Sequence, residues 1–177
     1  MAWANGLSYY DSVRNVTWTD WRLPQNLPVN GSGVVYEWRW DGSSDFGYNI
    51  SAPLSAYPDT TASELAYMYY RNLGNKAPLG VSGHEQSGWG LNNSGPFLNL
   101  QSTHYWSYGP EYVLSTDREY YFLFSTGEQN VSSRSAAYIT WAVRDGDVAA
   151  PVPIPGAIWL LVSGLIGLAA IRRKFRK

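Results

Sequence analysis

The chain has 177 residues, of which 16% are aromatic and 15% are charged, and it contains no cysteine. Residues 1–150 hold 8 Lys or Arg against 14 Asp or Glu, a net charge of −6, whereas residues 151–177 hold five basic residues and no acidic one. The lack of cysteine excludes disulfides, thiolate metal sites and a cysteine nucleophile, and the acidic character of residues 1–150 argues against nucleic acid as a partner.

The start of the chain predicts the end of a helix at residues 2–8. The same segment lacks the basic region and the apolar region of a signal peptide. Because the tail described below indicates export, we expect the open reading frame to extend upstream and to encode a signal peptide and one or two more strands.

A longer helix is predicted at residues 61–74. Thr61 and Glu64 have the spacing of a capping box, and Gly74 can adopt the left-handed conformation that ends a helix. The apolar face of this helix comprises Leu65, Met68, Tyr69 and Leu73.

Strands are predicted at residues 120–127 and 137–144, where aromatic and β-branched residues lie between Gly or Asp. A turn at Gly127–Glu128 leads into a further strand. Residues 76–110 are rich in Gly, Asn and Ser, and their two tryptophans predict a long but ordered loop.

Catalytic and metal-binding residue types are scarce. His84 and His104 are the only histidines, so a three-histidine iron site cannot form, and no Gly-x-Ser-x-Gly motif marks a serine nucleophile. We therefore expect no enzymatic activity, no cofactor and no metal. Asp41 and Asp45 could offer oxygen ligands to calcium, but they lack EF-hand spacing and favour a turn.

The C-terminal segment is typical of a membrane anchor. Residues 154–171 carry no charge, and a helix of 18 residues, about 27 Å long, just spans a hydrocarbon core of about 30 Å. We predict a Pro-rich motif at 150–155, a transmembrane helix at 156–171 and, by the positive-inside rule, a basic cytoplasmic end at 172–177. A simple tail anchor is the alternative interpretation.

Residues 152–174 closely resemble the PEP-CTERM class of exosortase sorting signals, in the variant whose motif reads Val-Pro-Leu-Pro-Ala. A Pro motif, a Trp-Leu…Ser-Gly-Leu-x-Gly-Leu helix and a basic end follow one another in the required order. The matching residues are Pro153, Pro155, Trp159, Ser163, Gly164, Gly167, Arg172 and Arg173. Ile154 and Gly156 depart mildly from the variant, which usually has Leu and Ala there.

The resemblance implies export in a Gram-negative bacterium. An exosortase-type enzyme would process an inner-membrane precursor near the Pro motif, and the mature form would reach the cell surface or the extracellular matrix. We therefore expect the mature protein to lack residues 159–177.

Four segments of residues 1–149 resemble the domain at the C-terminus of the bacterial collagen-like adhesin Lcl. They are Asp20-Trp-Arg-Leu-Pro24, Phe46-Gly-Tyr-Asn49 with the helix that follows, Asn99 to Ser107, and Tyr138 to Val148. The motif residues that we expect to be structural are Trp21, Arg22, Pro24, Tyr105, Trp106, Trp141 and Arg144. The resemblance implies a C-type-lectin-like α+β domain with two helices on a small twisted antiparallel sheet and long loops over one face.

These observations favour a lectin-like surface or matrix module that binds polysaccharide, with an architectural protein without a defined ligand as the alternative. The motifs of calcium-dependent sugar-binding lectins are missing, and the basic residues are scattered, so heparin should bind weakly or not at all. Exposed rings in the loops are the expected contacts for sugar, with Trp89, Tyr108 and Tyr112 as candidates.

Overall fold

The computed structural model describes residues 2–110 and 116–146, which form an α+β fold dominated by β-sheet. The helices are α1 (Ala2–Asn5) and α2 (Glu64–Tyr67), and a π-helical turn at Met68–Asn72 continues α2. The strands are β1 (Tyr9–Asp11), β2 (Val16–Trp18), β3 (Trp38–Arg39), β4 (Phe46–Gly47), β5 (His104–Trp106), β6 (Arg118–Leu123), β7 (Glu128–Ser133) and β8 (Ile139–Thr140).

Six of these strands form one sheet in the order β3-β4-β7-β6-β5-β8, and β1 and β2 form a separate antiparallel hairpin. The predicted α+β class is confirmed, but the expectation of an antiparallel sheet is wrong. Strand β3 is parallel to β4 and β8 is parallel to β5, so the sheet is mixed. Both parallel strands have two residues and lie at the sheet edges, where few bonds set their direction.

The core lies between one face of this sheet and α2 with its π-helical turn. Alternate residues of β6, Tyr120 and Phe122, are almost completely buried, and the ring centroids of Phe122 and Tyr69 are 5.5 Å apart. Burying a side chain of this size contributes about 1.5–3 kcal/mol to folding. The apolar residues that sheet and helix bury together are Leu65, Ala66, Tyr69, Tyr70, Leu73, Tyr105, Phe122 and Phe124.

The helix begins three residues later than predicted, and the expected capping box is wrong. Ser63 is the N-cap, and its hydroxyl accepts a hydrogen bond from the amide of Ala66. The Glu64 carboxylate instead accepts bonds from the Arg22 guanidinium and the Gln25 amide, at 2.7 Å each. A distant partner thus overrides the local capping signal, whereas the left-handed end at Gly74 is confirmed by its φ of +67°.

Ser63 also connects the helix to the sheet, because its buried hydroxyl donates to Gln129 Oε1 at 2.6 Å. We expect Ser63→Ala to lower the free energy of unfolding by about 2 kcal/mol, since it removes a cap and leaves a buried acceptor without its donor. Urea unfolding of the full chain measures this loss. The matched control is Thr61→Ala at the exposed residue of the predicted cap, which should change stability by less than about 0.5 kcal/mol. An equal loss in the two variants would contradict the assignment of the cap.

The two predicted strands are present but shorter than expected. The strand expected at 120–127 ends at Leu123, whose carbonyl accepts a bond from the Gly127 amide and closes the predicted turn into β7. In the segment 137–144 only β8 pairs with the sheet, because Val143 exchanges two backbone bonds with Arg22 instead.

The predicted loop at 76–110 contains a strand, β5, that the sequence did not predict. Three residues are too few to show an alternating pattern, and β5 forms because β6 and β8 pair with it on its two sides. The helix expected at residues 2–8 is present only as α1, since a reverse turn follows it.

None of the helices in the described part of the chain has the length and the apolar run needed to cross a bilayer. The predicted Pro-rich motif, transmembrane helix and basic end, with all eight sorting-signal residues, lie outside the described residues.

Candidate functional site

The Trp-Arg-Leu-Pro motif is built into the structure. Arg22 forms a bidentate ion pair with Glu64, with both N–O distances at 2.7 Å, and it also donates to a backbone carbonyl. Pro24 is fully buried, and the indole of Trp21 donates to the carbonyl of Trp18 at 3.1 Å. These contacts join the motif to other parts of the chain, which is what a structural role predicts.

The second half of the motif set is also engaged in packing. Arg144 pairs with Asp20 at 3.0 Å and lies over the ring of Trp18 at 3.6 Å, and the bond to Arg144 holds the pKa of the Asp20 carboxyl below its usual value. Trp141 packs against the rings of Phe97, Tyr105 and Phe124. The guanidinium groups of Arg22 and Arg144 are thus both paired with carboxylates.

The basic residues of this domain do not form an anion-binding patch. Six of the eight Lys and Arg residues before position 151 pair with a carboxylate. In each pair the carboxylate offsets the charge of the arginine, so little positive charge remains to attract a polyanion. Surface charge therefore gives no support to binding of heparin.

The sheet face opposite α2 carries a group of partly exposed rings. The pleat that buries Tyr105 and Phe122 turns the intervening residues of β5 and β6 to the other side. We call this the outer sheet face and define it by His104, Trp106, Tyr121, Glu128, Asn130, Ser132 and Tyr138. The sequence motif predicted a structural role for Trp106 and did not predict this face, although the alternation of residues in β6 indicates it.

The four rings of this face contact one another around Tyr138. His104 stacks on Tyr138 with centroids 4.4 Å apart and an angle of 12°, while Trp106 and Tyr121 lie 4.6 and 5.5 Å from the same ring. Because all four are only half buried, they form an aromatic surface that solvent still reaches. Such rings offer rigid apolar area at a low cost in conformational entropy.

Polar groups flank this aromatic surface. The Glu128 carboxylate accepts bonds from the Trp38 indole at 3.2 Å and from the Asn130 amide at 3.0 Å. Burial, together with this carboxylate, raises the pKa of Tyr121 to about 12, and the same two causes raise the pKa of Tyr48. The phenols therefore stay neutral at ordinary pH and can both donate and accept hydrogen bonds.

The loop rings expected to hold sugar do not meet in one site. Trp89 is half exposed and precedes a residue that pairs with Lys76, just beyond the C-terminal end of the helical segment. Tyr108 is exposed as well, but it lies beside Asn26, which pairs with the N-cap of α2 at the opposite end. Tyr112 lies outside the described residues, and the role of these rings in binding stays a prediction.

The carboxylates considered for calcium are used to shape loops. Asp41 accepts two bonds from Ser43, as in a turn, and Asp45 accepts bonds from the amides of Val29 and Val35 at 2.9 and 2.8 Å. Within residues 2–110 and 116–146, no group of three or more His, Cys, Asp or Glu side chains could hold a metal ion.

Comparisons of this chain with protein-family models, with curated proteins and with solved structures each gave no match.

Proposed function

We propose that this chain is an exported, exosortase-sorted surface or matrix protein whose domain is a C-type-lectin-like binding module for polysaccharide. The observation that carries the binding function is the outer sheet face, where four half-exposed rings lie in mutual contact beside a carboxylate and an amide. The export and the sorting rest on the resemblance of residues 152–174 to a PEP-CTERM signal.

The chemistry of the outer sheet face suits a neutral sugar chain. Pyranose rings present C–H faces that pack on aromatic surfaces, and their hydroxyls bond to amides, carboxylates and phenols. The net charge of −6 on residues 1–150 and the paired arginines favour a neutral or weakly charged polymer over a sulfated one. Trp38 borders the outer sheet face through its hydrogen bond to Glu128, and its ring extends the surface that a polymer can contact.

Binding should depend on the rings and hardly on salt. We expect the full chain to be retarded by dextran, mannan or laminarin in affinity electrophoresis, and Trp106→Ala to weaken the affinity for the retarding polymer about ten- to thirtyfold. Heparin should bind weakly at low salt. Affinity for the neutral polymer should change little between about 0.05 and 0.5 M salt, because no counterions are released.

Tyr9→Ala is the matched control for Trp106→Ala. Tyr9 is an exposed ring of the separate hairpin, so the variant should bind as the unchanged chain does, while thermal unfolding shows that both variants remain folded. Trp89→Ala and Tyr108→Ala measure the contribution of the loop rings. Equal affinity in Trp106→Ala and the unchanged chain would contradict a site on the outer sheet face, and tight, salt-sensitive heparin binding would contradict the choice of polymer.

Sorting has a separate test in a host that contains an exosortase. We expect mass spectrometry of the mature surface fraction to show a C-terminus near residues 151–155, because processing occurs near the Pro motif in signals of this class. Intact peptides from residues 159–177 in that fraction would contradict sorting and restore the simple tail anchor.

A further inference from the structure

A second concave site lies between two loops, and we call it the loop cleft. Residues 49–54 contribute one wall and residues 80–86 contribute the other, around a cavity of about 420 Å³. Pockets that hold small molecules commonly measure about 300–1,000 Å³. The loop cleft shares no lining residue with the outer sheet face, so the two can be tested independently.

The first wall contains backbone conformations that are unfavourable for residues with a Cβ. Asn49, Ser51 and Leu54 have φ angles of +60°, +66° and +66°. Side-chain bonds hold two of them, since Asn49 donates to the carbonyl of Trp40 at 2.6 Å and Ser51 donates to the carbonyl of Thr60 at 2.7 Å. Leu54 is 86% exposed, so burial of its side chain does not offset the energetic cost of its positive φ. Strain of this kind concentrates at functional sites.

The second wall is a tight turn supported by an indole. The Gly80 amide donates to His84 and the Gly83 amide donates to Gly80, at 2.9 and 2.8 Å. Gly83 has a φ of +77°, and a Cβ at this position would lie 2.8 Å from Nε1 of Trp40. The ring of Trp40 therefore rests against the turn, while its carbonyl holds Asn49 on the other wall. Both walls are fixed before a ligand arrives, which lowers the entropic cost of binding.

The charged groups of the loop cleft are available to a ligand. In the described part of the chain, the side chains of Lys76 and Glu85 have no hydrogen bond or ion pair, and the ring of His84 has one hydrogen bond, to the Ser82 hydroxyl at 3.2 Å. Lys76 donates, Glu85 accepts, and the imidazole of His84 can do both. The charges of Lys76 and Glu85 cancel, and apolar side chains from residues 52–54 complete the lining.

From these features we infer that the loop cleft binds a single neutral sugar residue, either free or at the end of a glycan chain. Paired donors and acceptors match hydroxyls that both give and receive hydrogen bonds, and the cancelled charge disfavours an anion or a cation. Leu54 supplies an apolar contact at the rim. The inference rests on the proposed function for the chemical class of the ligand, but not on the outer sheet face.

The test is amide chemical-shift mapping of the full ¹⁵N-labelled chain in a detergent without a sugar headgroup. The probes are the methyl glycosides of glucose, galactose, mannose and N-acetylglucosamine at millimolar concentration, and the corresponding trisaccharides. We expect saturable shifts in residues 49–54 and 80–86 with at least one glycoside. Tighter binding of the trisaccharide identifies a chain end as the ligand, and equal binding identifies the free sugar.

Leu54→Gly separates a contact with ligand from a role in folding. Glycine adopts a positive φ freely, so the melting temperature should stay equal or rise, while the dissociation constant should increase about tenfold. Leu98→Gly, which removes another exposed leucine, should leave the dissociation constant unchanged. Lys76→Met keeps the apolar stem, removes the donor and should weaken binding.

Several outcomes would overturn the inference. They are the absence of saturable shifts in the loop cleft, unchanged binding in Leu54→Gly, and shifts produced by free glycine but by none of the glycosides. If shifts occur only on the outer sheet face, the loop cleft is not a sugar site and the proposed function still stands. If shifts occur only in the loop cleft, the inference stands and the proposed site on the sheet fails.

Discussion

Gly47→Ala is expected to destabilise the fold by more than about 4 kcal/mol, or to prevent folding altogether. Gly47 lies in β4 with a φ of +117°, a conformation that residues with a side chain rarely adopt. A Cβ at this position would overlap the carbonyl oxygen of Arg39 in the parallel strand β3, and would lie 2.8 Å from its carbonyl carbon. The neighbouring atoms are backbone, so the overlap cannot be relieved without separating β3 from β4.

Gly74→Ala is the matched control for this prediction. Gly74 also has a positive φ, +67°, but a Cβ there would meet no atom within 4 Å. Only the cost of the left-handed backbone remains, and we expect a loss of about 1 kcal/mol. Soluble yield and urea unfolding of the two variants measure the difference. Similar losses would mean that β3 and β4 do not approach as closely as described.

Tyr70→Phe is expected to lower the free energy of unfolding by about 2–6 kcal/mol. The hydroxyl of Tyr70 donates to the carbonyl of Gly127 at 2.8 Å and accepts from the amide of Asn49 at 2.9 Å, in a site that is 3% exposed. Phenylalanine fills nearly the same volume but leaves both backbone groups without their partner, at about 1–3 kcal/mol each. The bonds join the helical segment to the β6–β7 turn and to the first wall of the loop cleft.

The same hydroxyl predicts a dependence on alkaline pH. Burial raises the pKa of the Tyr70 hydroxyl well above its ordinary value of 10.0. A raised folded pKa contributes stability that is complete below the unfolded value of about 10 and is lost as pH rises above it. The difference in stability between the unchanged chain and Tyr70→Phe should therefore narrow above about pH 10.

Tyr67→Phe controls for the loss of a tyrosine hydroxyl from the same helix. The side chain of Tyr67 is half buried and has no hydrogen bond within the described residues, so the variant should change stability by less than about 0.5 kcal/mol. Urea unfolding at neutral and alkaline pH tests all three proteins together. A loss in Tyr70→Phe no larger than this control would contradict the two buried hydrogen bonds.

The sequence by itself determined the coarse architecture of residues 2–144. An aromatic run predicted the strand β6, the turn at Gly127 predicted that a further strand, β7, follows it, and the apolar stripe predicted the helix that packs on them. These signals are local, because side-chain alternation and glycine conformation depend on near neighbours in the chain. The left-handed end of the helix at Gly74 belongs to the same class of signal.

Only the tertiary structure decided which short segments become strands and which caps are used. Two-residue strands such as β3 and β8 carry no periodic signal and exist because a partner supplies their hydrogen bonds. The Glu64 carboxylate pairs with Arg22, 42 residues away, instead of completing the local helix cap. The candidate sites are decided in the same way: His104 and Tyr138 are far apart in sequence, and the pairing of β8 with β5 brings their rings into contact. The physical reason is that a non-local contact forms only when the loss of entropy on closing the intervening chain is offset by the rest of the fold, and local sequence does not encode that balance.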